Sequence, residues 1–335
     1  MIVLANGKQR QRVTDIIHIN DIESWSSKDI IIISAGTGAG KSYFIKNSLY
    51  EYAKLMNKKI LFLIHRRNCV DQFIYEIQND NKDDIIDIQT YQSIESQILQ
   101  CDKHIDYSQY QYIVSDEFHY FISDAGFNCT TDLSLNEILK QKNCIKLFMS
   151  ATGENVEKYL QGQYKRICTY RLPPDYSHVK RLTFFPQDDA MSDIAKHIIR
   201  SGEKGMFFIQ SAKKAYKLFK EFEKYAIFNC GKSDNHYKYV DKDKINNMLQ
   251  KQQFEENILV TTSCFDAGAN IVDKKVKYVI ADIVDVGSLI QCLGRKRSIS
   301  ADDKVEFYIK TINNQQLAGL MRSTSNQIEM AEYLL

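Results

Sequence analysis

Two short runs hold the residues best suited to chemistry. The first is Ala35-Gly36-Thr37-Gly38-Ala39-Gly40-Lys41-Ser42. Glycines at 38 and 40 let the backbone approach phosphate oxygens and leave N–H donors uncovered, and a helix starting at Ser42 adds its positive end. Lys41 is then placed to reach the β- and γ-phosphates of a nucleotide, and the Ser42 hydroxyl to ligate Mg²⁺. The expected nucleotide-binding residues are Gly36, Thr37, Gly38, Ala39, Gly40, Lys41 and Ser42, with Ala35 where the general pattern has glycine. The second run is Ser115-Asp116-Glu117-Phe118-His119. Adjacent carboxylates suit phosphoanhydride hydrolysis: Asp116 holds the metal's water shell, and Glu117 takes a proton from the attacking water. His119 fits either a coupling role or an ordinary satisfied histidine.

Such residues need strand ends to hold them. Short apolar runs at Ile30–Ser34, Ile60–Ile64, Ile85–Ile88, Tyr112–Ser115 and Ile145–Met149 predict buried strands, with amphipathic helices such as Ser42–Met56 and Cys69–Asn79 between them. A second series follows at Arg181–Phe185, Met206–Gln210, Ala226–Asn229, Ile258–Thr262, Lys277–Ile280 and Val305–Ile309. This alternation predicts an α/β fold of two domains, each a mostly parallel sheet flanked by helices. The expected boundaries are residues 1–172 and 179–335, with Pro173-Pro174 stiffening a linker over 173–178. From Ala212 to Tyr225, Lys213, Lys217, Lys220 and Lys224 share one helical face opposite Ala215, Leu218, Phe219 and Phe222. That stripe reads as a solvated surface or, more sharply, as a contact for phosphates.

Composition narrows the class. The 335 residues are 44% hydrophobic, enough to build real cores and to exclude a largely disordered chain. No run approaches the roughly 20 apolar residues of a membrane span, and the N-terminus lacks a signal-peptide layout, so a cytoplasmic protein without membrane contact is expected. The eight cysteines form no C-x-x-C pair, which predicts small buried thiols and neither zinc nor an iron–sulfur cluster. A net charge of +2 means that nucleic-acid contact must come from local patches and backbone amides. The amphipathic pattern runs to Leu335 without a stop signal, as in a helix clipped from a longer chain.

The motifs together resemble superfamily 2 helicases of the broad DExH group, in the right order over nearly the whole chain. Gly40-Lys41-Ser42 and Asp116-Glu117-Phe118-His119 match that family's first and second motifs, and Ser150-Ala151-Thr152 its Ser-Ala-Thr motif. Leu63-Ile64-His65-Arg66-Arg67 and Gln89-Thr90-Tyr91-Gln92-Ser93 are similar to nucleic-acid-contacting segments. Phe207 to Ser211 resembles motif four, and Ile258 to Ile271, with Asp266-Ala267-Gly268, resembles motif five. Gln291-Cys292-Leu293-Gly294-Arg295-Lys296-Arg297 resembles motif six. The resemblance implies two tandem RecA-like domains, ATP with Mg²⁺ in the cleft between them, and a single strand lying across both. It assigns nucleotide contact to Gly268, catalytic roles to Gln291, Arg295 and Arg297 alongside Glu117, and strand contact to Arg67, Thr90, Ser211 and Thr262. DNA is slightly favoured over RNA.

Two departures matter. Family members usually carry arginine at the second, fifth and eighth positions of motif six; here these are Cys292, Arg295 and Ser298, with Arg297 one residue early. Arg297 replaces the missing arginine if the helix ends or unwinds there; otherwise one arginine in place of two would slow turnover. Before residue 30 no aromatic-plus-Gln element like the adenine reader of DEAD-box RNA helicases is found, and Asp-Glu-Phe-His differs from Asp-Glu-Ala-Asp. The leading expectation is an ATP-dependent helicase or translocase. An ATP-gated binding module without unwinding is the rival, and a P-loop small-molecule kinase would leave the second-domain motifs unexplained.

Overall fold

Ile30–Ser34 (β1) is buried along both faces, and its alternating side chains feed two different clusters: Ile31 and Ile33 one, Ile30 and Ile32 the other. That two-sided burial is what a central strand of a parallel sheet demands. In this computed structural model residues 11–65, 67–101, 105–125, 128–262 and 270–334 are described, with the backbone alone at 67–72, 331 and 334. The chain divides into two compact units, Met1–Asp175 and Tyr176–Leu335.

The first unit adds β2 (Lys59–Ile64), β3 (Ile86–Thr90), β4 (Tyr110–Asp116), β5 (Ile145–Ser150) and β6 (Ile167–Arg171), in the spatial order β3-β2-β4-β5-β1-β6. Every pairing is parallel. The second unit has β7 (Val179–Phe185), β8 (Lys204–Ile209), β9 (Ala226–Asn229), β10 (Ile258–Thr261), β11 (Val276–Asp282) and β12 (Val305–Lys310), ordered β7-β12-β11-β8-β10-β9 and again all parallel. Six strands per sheet, each sheet flanked by helices, realise the expected α/β class.

Differences from the sequence reading have local causes. β6 was not expected because it is an edge strand whose residues are half-buried or exposed, so it lacks an apolar run. The helix expected over Ser42–Met56 starts at Lys41 and passes through a π-helical stretch, Ile45–Leu49, before Tyr50–Leu55. Lys224 is not on the helix of its lysine neighbours: that helix is Ala212–Glu221, and Lys224 sits in the 3₁₀ turn Glu223–Tyr225. The cysteines are not uniformly buried. Cys101, Cys129 and Cys168 are exposed, Cys101 at a left-handed helix C-cap and Cys168 on the edge strand, whereas Cys144, Cys230 and Cys292 are buried. The Cys69 side chain and all of Cys264 lie outside what is described. Among the described residues no helix is long and apolar enough to cross a membrane.

Candidate functional site

Parallel strands deliver their carboxyl ends to one edge of a sheet, where ligands bind in open α/β folds. Register aligns those ends in the first unit: Ser34 lies beside Ser150, Asp116 beside Met149, and Ile64 beside Thr90. The loop after β1, the acidic pair at the end of β4 and Ser150 therefore share an edge.

In the loop, Gly38 and Gly40 have φ of 76° and 86°, the left-handed region where a Cβ is costly. The Gly36 carbonyl accepts from the Ala39 amide (3.2 Å), and the Ala39 carbonyl accepts from the Val13 amide (2.9 Å). This N-terminal strut has no motif of its own, and the sequence reading did not find it. The Gly40 carbonyl accepts from Phe44 (2.9 Å), so the helix begins at Lys41, immediately behind the loop amides. Lys41 is only 7% exposed; its ammonium donates to the Ala35 carbonyl (2.9 Å) and the Gly36 carbonyl (3.4 Å). A buried ammonium held only by carbonyls is one that an anion can recruit.

Asp116 ends β4, and its Oδ1 is buried without a hydrogen-bond partner. Burial first, then the neighbouring Glu117 charge, push its carboxyl up to about 7 against the pull of Lys41. Such an atom suits a cation or its water shell, with Ser42 on the first turn after the loop. Glu117 has φ 48°, left-handed for a residue with a Cβ, a strain of the kind that clusters at active sites. Its carboxylate accepts from Ser150 Oγ (3.4 Å) and lies 3.4 Å from His119 Nδ1, which is itself 2.9 Å from Ser150 Oγ. Burial alone would lower the His119 pKa, but the hydrogen bond and charge of Glu117 outweigh it and raise it. Ser150 also accepts from the Thr152 amide (3.1 Å), so the Ser-Ala-Thr segment is wired to Glu117 through one hydroxyl.

Beneath these groups lies an aromatic brace. Tyr91, fully buried, donates to the Asp116 carbonyl (2.8 Å) and stacks on Tyr120 at 5.0 Å between ring centroids. Tyr120 donates to buried Glu95 (3.0 Å), and His65 packs on the Tyr120 ring while bonding Asp124 (2.9 Å). Thr90 precedes Tyr91, and its side chain caps the Tyr91–Gln100 helix by accepting from Ser93 (3.0 Å). The sequence reading placed Tyr91 only within residues 89–93, a segment similar to a nucleic-acid contact, and did not anticipate its role as a brace.

The remaining expected residues lie in the second unit or outside the described set. Ser211 caps the Ala212–Glu221 helix, and Thr262 is buried just past β10. Gln291 is buried on the helix Val286–Gly294, and Arg295 is its C-cap, also buried, with Nε lacking a hydrogen-bond partner. Arg297 donates from Nε to Asn270 Oδ1 (2.8 Å). Ser298 donates to the Asp303 carbonyl (2.9 Å). Lys296 is buried against Asp303 at 2.5 Å. Gly268 and the Arg67 side chain lie outside the described residues. Among the described residues no group of three or more His, Cys, Asp or Glu could hold a metal by itself.

Residues 4–155 match the family model described as the res subunit of type III restriction enzymes. No curated protein matches the chain in sequence. Among solved structures, the chain is similar to S. cerevisiae Dbp5 bound to RNA and ADP BeF3, with TM-score 0.63 and 13% identity over 88% of this chain and 81% of that one. It is similar also to Mss116p lacking its NTE and C-tail and bound to ssRNA and AMP-PNP, with TM-score 0.62 and 17% identity over 87% of this chain and 67% of that one. At such identities the likeness is one of fold: two tandem RecA-like domains.

Proposed function

We propose that the chain is a nucleic-acid-dependent ATPase of superfamily 2, a helicase or translocase that hydrolyses ATP between its two RecA-like domains. The observation that carries this is one shared sheet edge bearing Lys41, the orphaned Asp116 Oδ1 and strained Glu117. The family model over residues 4–155 and the RNA- and nucleotide-bound structures of similar fold support the same reading.

In this mechanism the amides of residues 36–41 and the Lys41 ammonium bind the phosphates, Lys41 exchanging loop carbonyls for phosphate oxygens. Ser42 and Asp116 would hold Mg²⁺, which when bound neutralises charge on the β- and γ-phosphates. Glu117 accepts the proton of the attacking water, kept in place by Ser150 and His119. Gln291 and Arg295 complete the site from the second domain, where an unpaired guanidinium nitrogen is free to meet developing charge. Gly268 contributes to the nucleotide site, and residues 173–178 act as the hinge between domains 1–172 and 179–335. Arg67, Thr90, Ser211 and Thr262 grip one strand by its phosphates, independent of sequence.

The Asp-Glu-Phe-His motif supports the DExH group, while the similar solved structures are DEAD-box helicases. The slight sequence lean towards DNA draws nothing from those structures, which hold RNA. A second reading, an ATP-gated clamp without unwinding, is favoured by Ser298, which bonds the Asp303 carbonyl where a second arginine is usual.

Phosphate release by the purified chain, with and without single- and double-stranded DNA and RNA, tests this. Strand-stimulated hydrolysis is expected, and Lys41→Ala and Glu117→Gln should each reduce it by about 100-fold or more. Wild-type release in either variant overturns the assignment, and flat, unstimulated release moves it to the clamp.

A further inference from the structure

The lysine-rich helix Ala212–Glu221 has no part in the proposed hydrolysis, yet its outer face is built distinctively. Ala215 and Leu218 point into the core, leaving Lys213, Lys217 and Lys220 exposed on one stripe. Tyr216 borders that stripe, three residues after Lys213 and four before Lys220. Its ring stacks on Tyr239 at 4.4 Å and 22°, with His236 5.2 Å away. Tyr239 is 45% exposed, and Lys238 lies over its ring at 5.1 Å.

The charge on this face is not neutralised. Glu223 bonds Lys220 (2.8 Å) and Asp234 bonds His236 (2.7 Å). Among the described residues Lys213, Lys217 and Lys238 have no carboxylate partner, and Ser211 stands at the amino end of the same helix. An exposed aromatic ring flanked by ammonium groups without carboxylate partners suits a single strand: a base stacks on the ring and phosphates displace counterions at the lysines.

We propose that this face is an accessory site for single-stranded nucleic acid, where a base takes the place of the Lys238 ammonium over the Tyr239 ring and the flanking phosphates meet Lys213, Lys217 and the displaced Lys238. A strand leaving Ser211 would run along the helix and gain length-dependent affinity without sequence preference. The inference takes its ligand class from the proposed function but adds a contact surface that hydrolysis does not require.

Fluorescence anisotropy of the full chain with labelled homopolymers of about 10 and about 30 nucleotides tests it, with and without AMP-PNP. Tyr239→Ala should weaken binding of the longer strand about five- to tenfold and barely affect the shorter, while Tyr239→Phe keeps wild-type affinity. Lys213→Ala with Lys217→Ala touches no core residue and should reduce the salt slope by about 1.4, near 0.7 per lysine. Long-strand binding unchanged in both variants overturns the site. Lys41→Ala separates the two proposals. If nucleotide-independent binding persists and still depends on Tyr239, the accessory site stands even where nucleotide-dependent gripping is absent. If only gripping survives, it falls alone.

Discussion

The phosphate loop and the segment Gln291–Ser298 both offer cations, but they build them differently. Lys41 is set by backbone: two left-handed glycines, a helix start and two loop carbonyls fix it within seven residues of Ala35. In the second unit Arg295, Lys296 and Arg297 are consecutive, yet each has a different fate. Arg295 is buried with an unpaired Nε, Lys296 is locked against Asp303, and Arg297 is bonded to Asn270. A local motif specifies its own geometry, whereas a run of like charges is sorted by partners that lie elsewhere in the chain.

The largest expected effect tests that sorting through chemistry. If Arg295 alone of the three meets transition-state charge, Arg295→Ala should lower kcat by about three orders of magnitude, as removal of an arginine finger does. Arg297→Ala, which loses a bond to Asn270, should stay within about tenfold of wild type. Steady-state phosphate release under saturating ATP measures both. Equal losses would mean that Arg297 has taken the place of the arginine absent at Ser298, and the contrast between the three cations would collapse.

Next comes stability. Asp303 accepts from Lys296 (2.5 Å) and from the Ile299 amide (3.0 Å), with Lys277 at 3.7 Å. Asp303→Asn would leave Lys296 buried and charged, and Lys296→Met would leave Asp303 so; each should cost about 3–5 kcal/mol, whereas Lys296→Met combined with Asp303→Leu should be close to neutral. Urea unfolding of the full chain compares them. Burial pushes the Asp303 carboxyl up, but Lys296 and the Ile299 amide pull it lower still, leaving it net below the ordinary aspartate value. A lowered carboxylate pKa stabilises the fold above the unfolded value of 3.8 and loses that contribution as pH falls through the folded value. The gap between wild type and Asp303→Asn should therefore narrow below about pH 4.

The same contrast explains what the sequence made legible. β1, β4 and β5 were readable because buried parallel strands are near-continuous apolar runs, and the loop and acidic pair sit directly at their ends. Edge strand β6 was not, since its residues are half-buried or exposed. Nor was Lys296 as an ion-pair member, because its partner lies seven residues on in an irregular segment. Ser298 read as a missing arginine; in three dimensions its hydroxyl ties that segment to the Asp303 carbonyl. Val13 and, in its bracing role, Tyr91 act through backbone groups of other segments, and such a role leaves no pattern of its own in the sequence.

The smallest effect concerns how tightly the first unit's motifs are packed on one another. Phe118, inside the acidic motif, is fully buried, and its ring lies where a Cβ on Gly153 would be, 2.1 Å from the nearest ring carbon. Gly153 has φ −90°, which alanine tolerates, so the glycine is required by the ring and not by the backbone. Gly153→Ala must displace Phe118, at a cost of about 1–3 kcal/mol for overpacking. Because Phe118 follows Glu117 and its amide bonds the Met149 carbonyl (3.2 Å), the displacement should also disturb the Ser150–Glu117 contact and lower kcat more than it raises KM. Adding Phe118→Leu removes the obstructing ring and should recover part of both losses. Recovery of stability without recovery of kcat would mean that Phe118 positions Glu117 directly. No interaction between the two substitutions would mean that the Ser-Ala-Thr segment and the acidic motif are not packed as one unit.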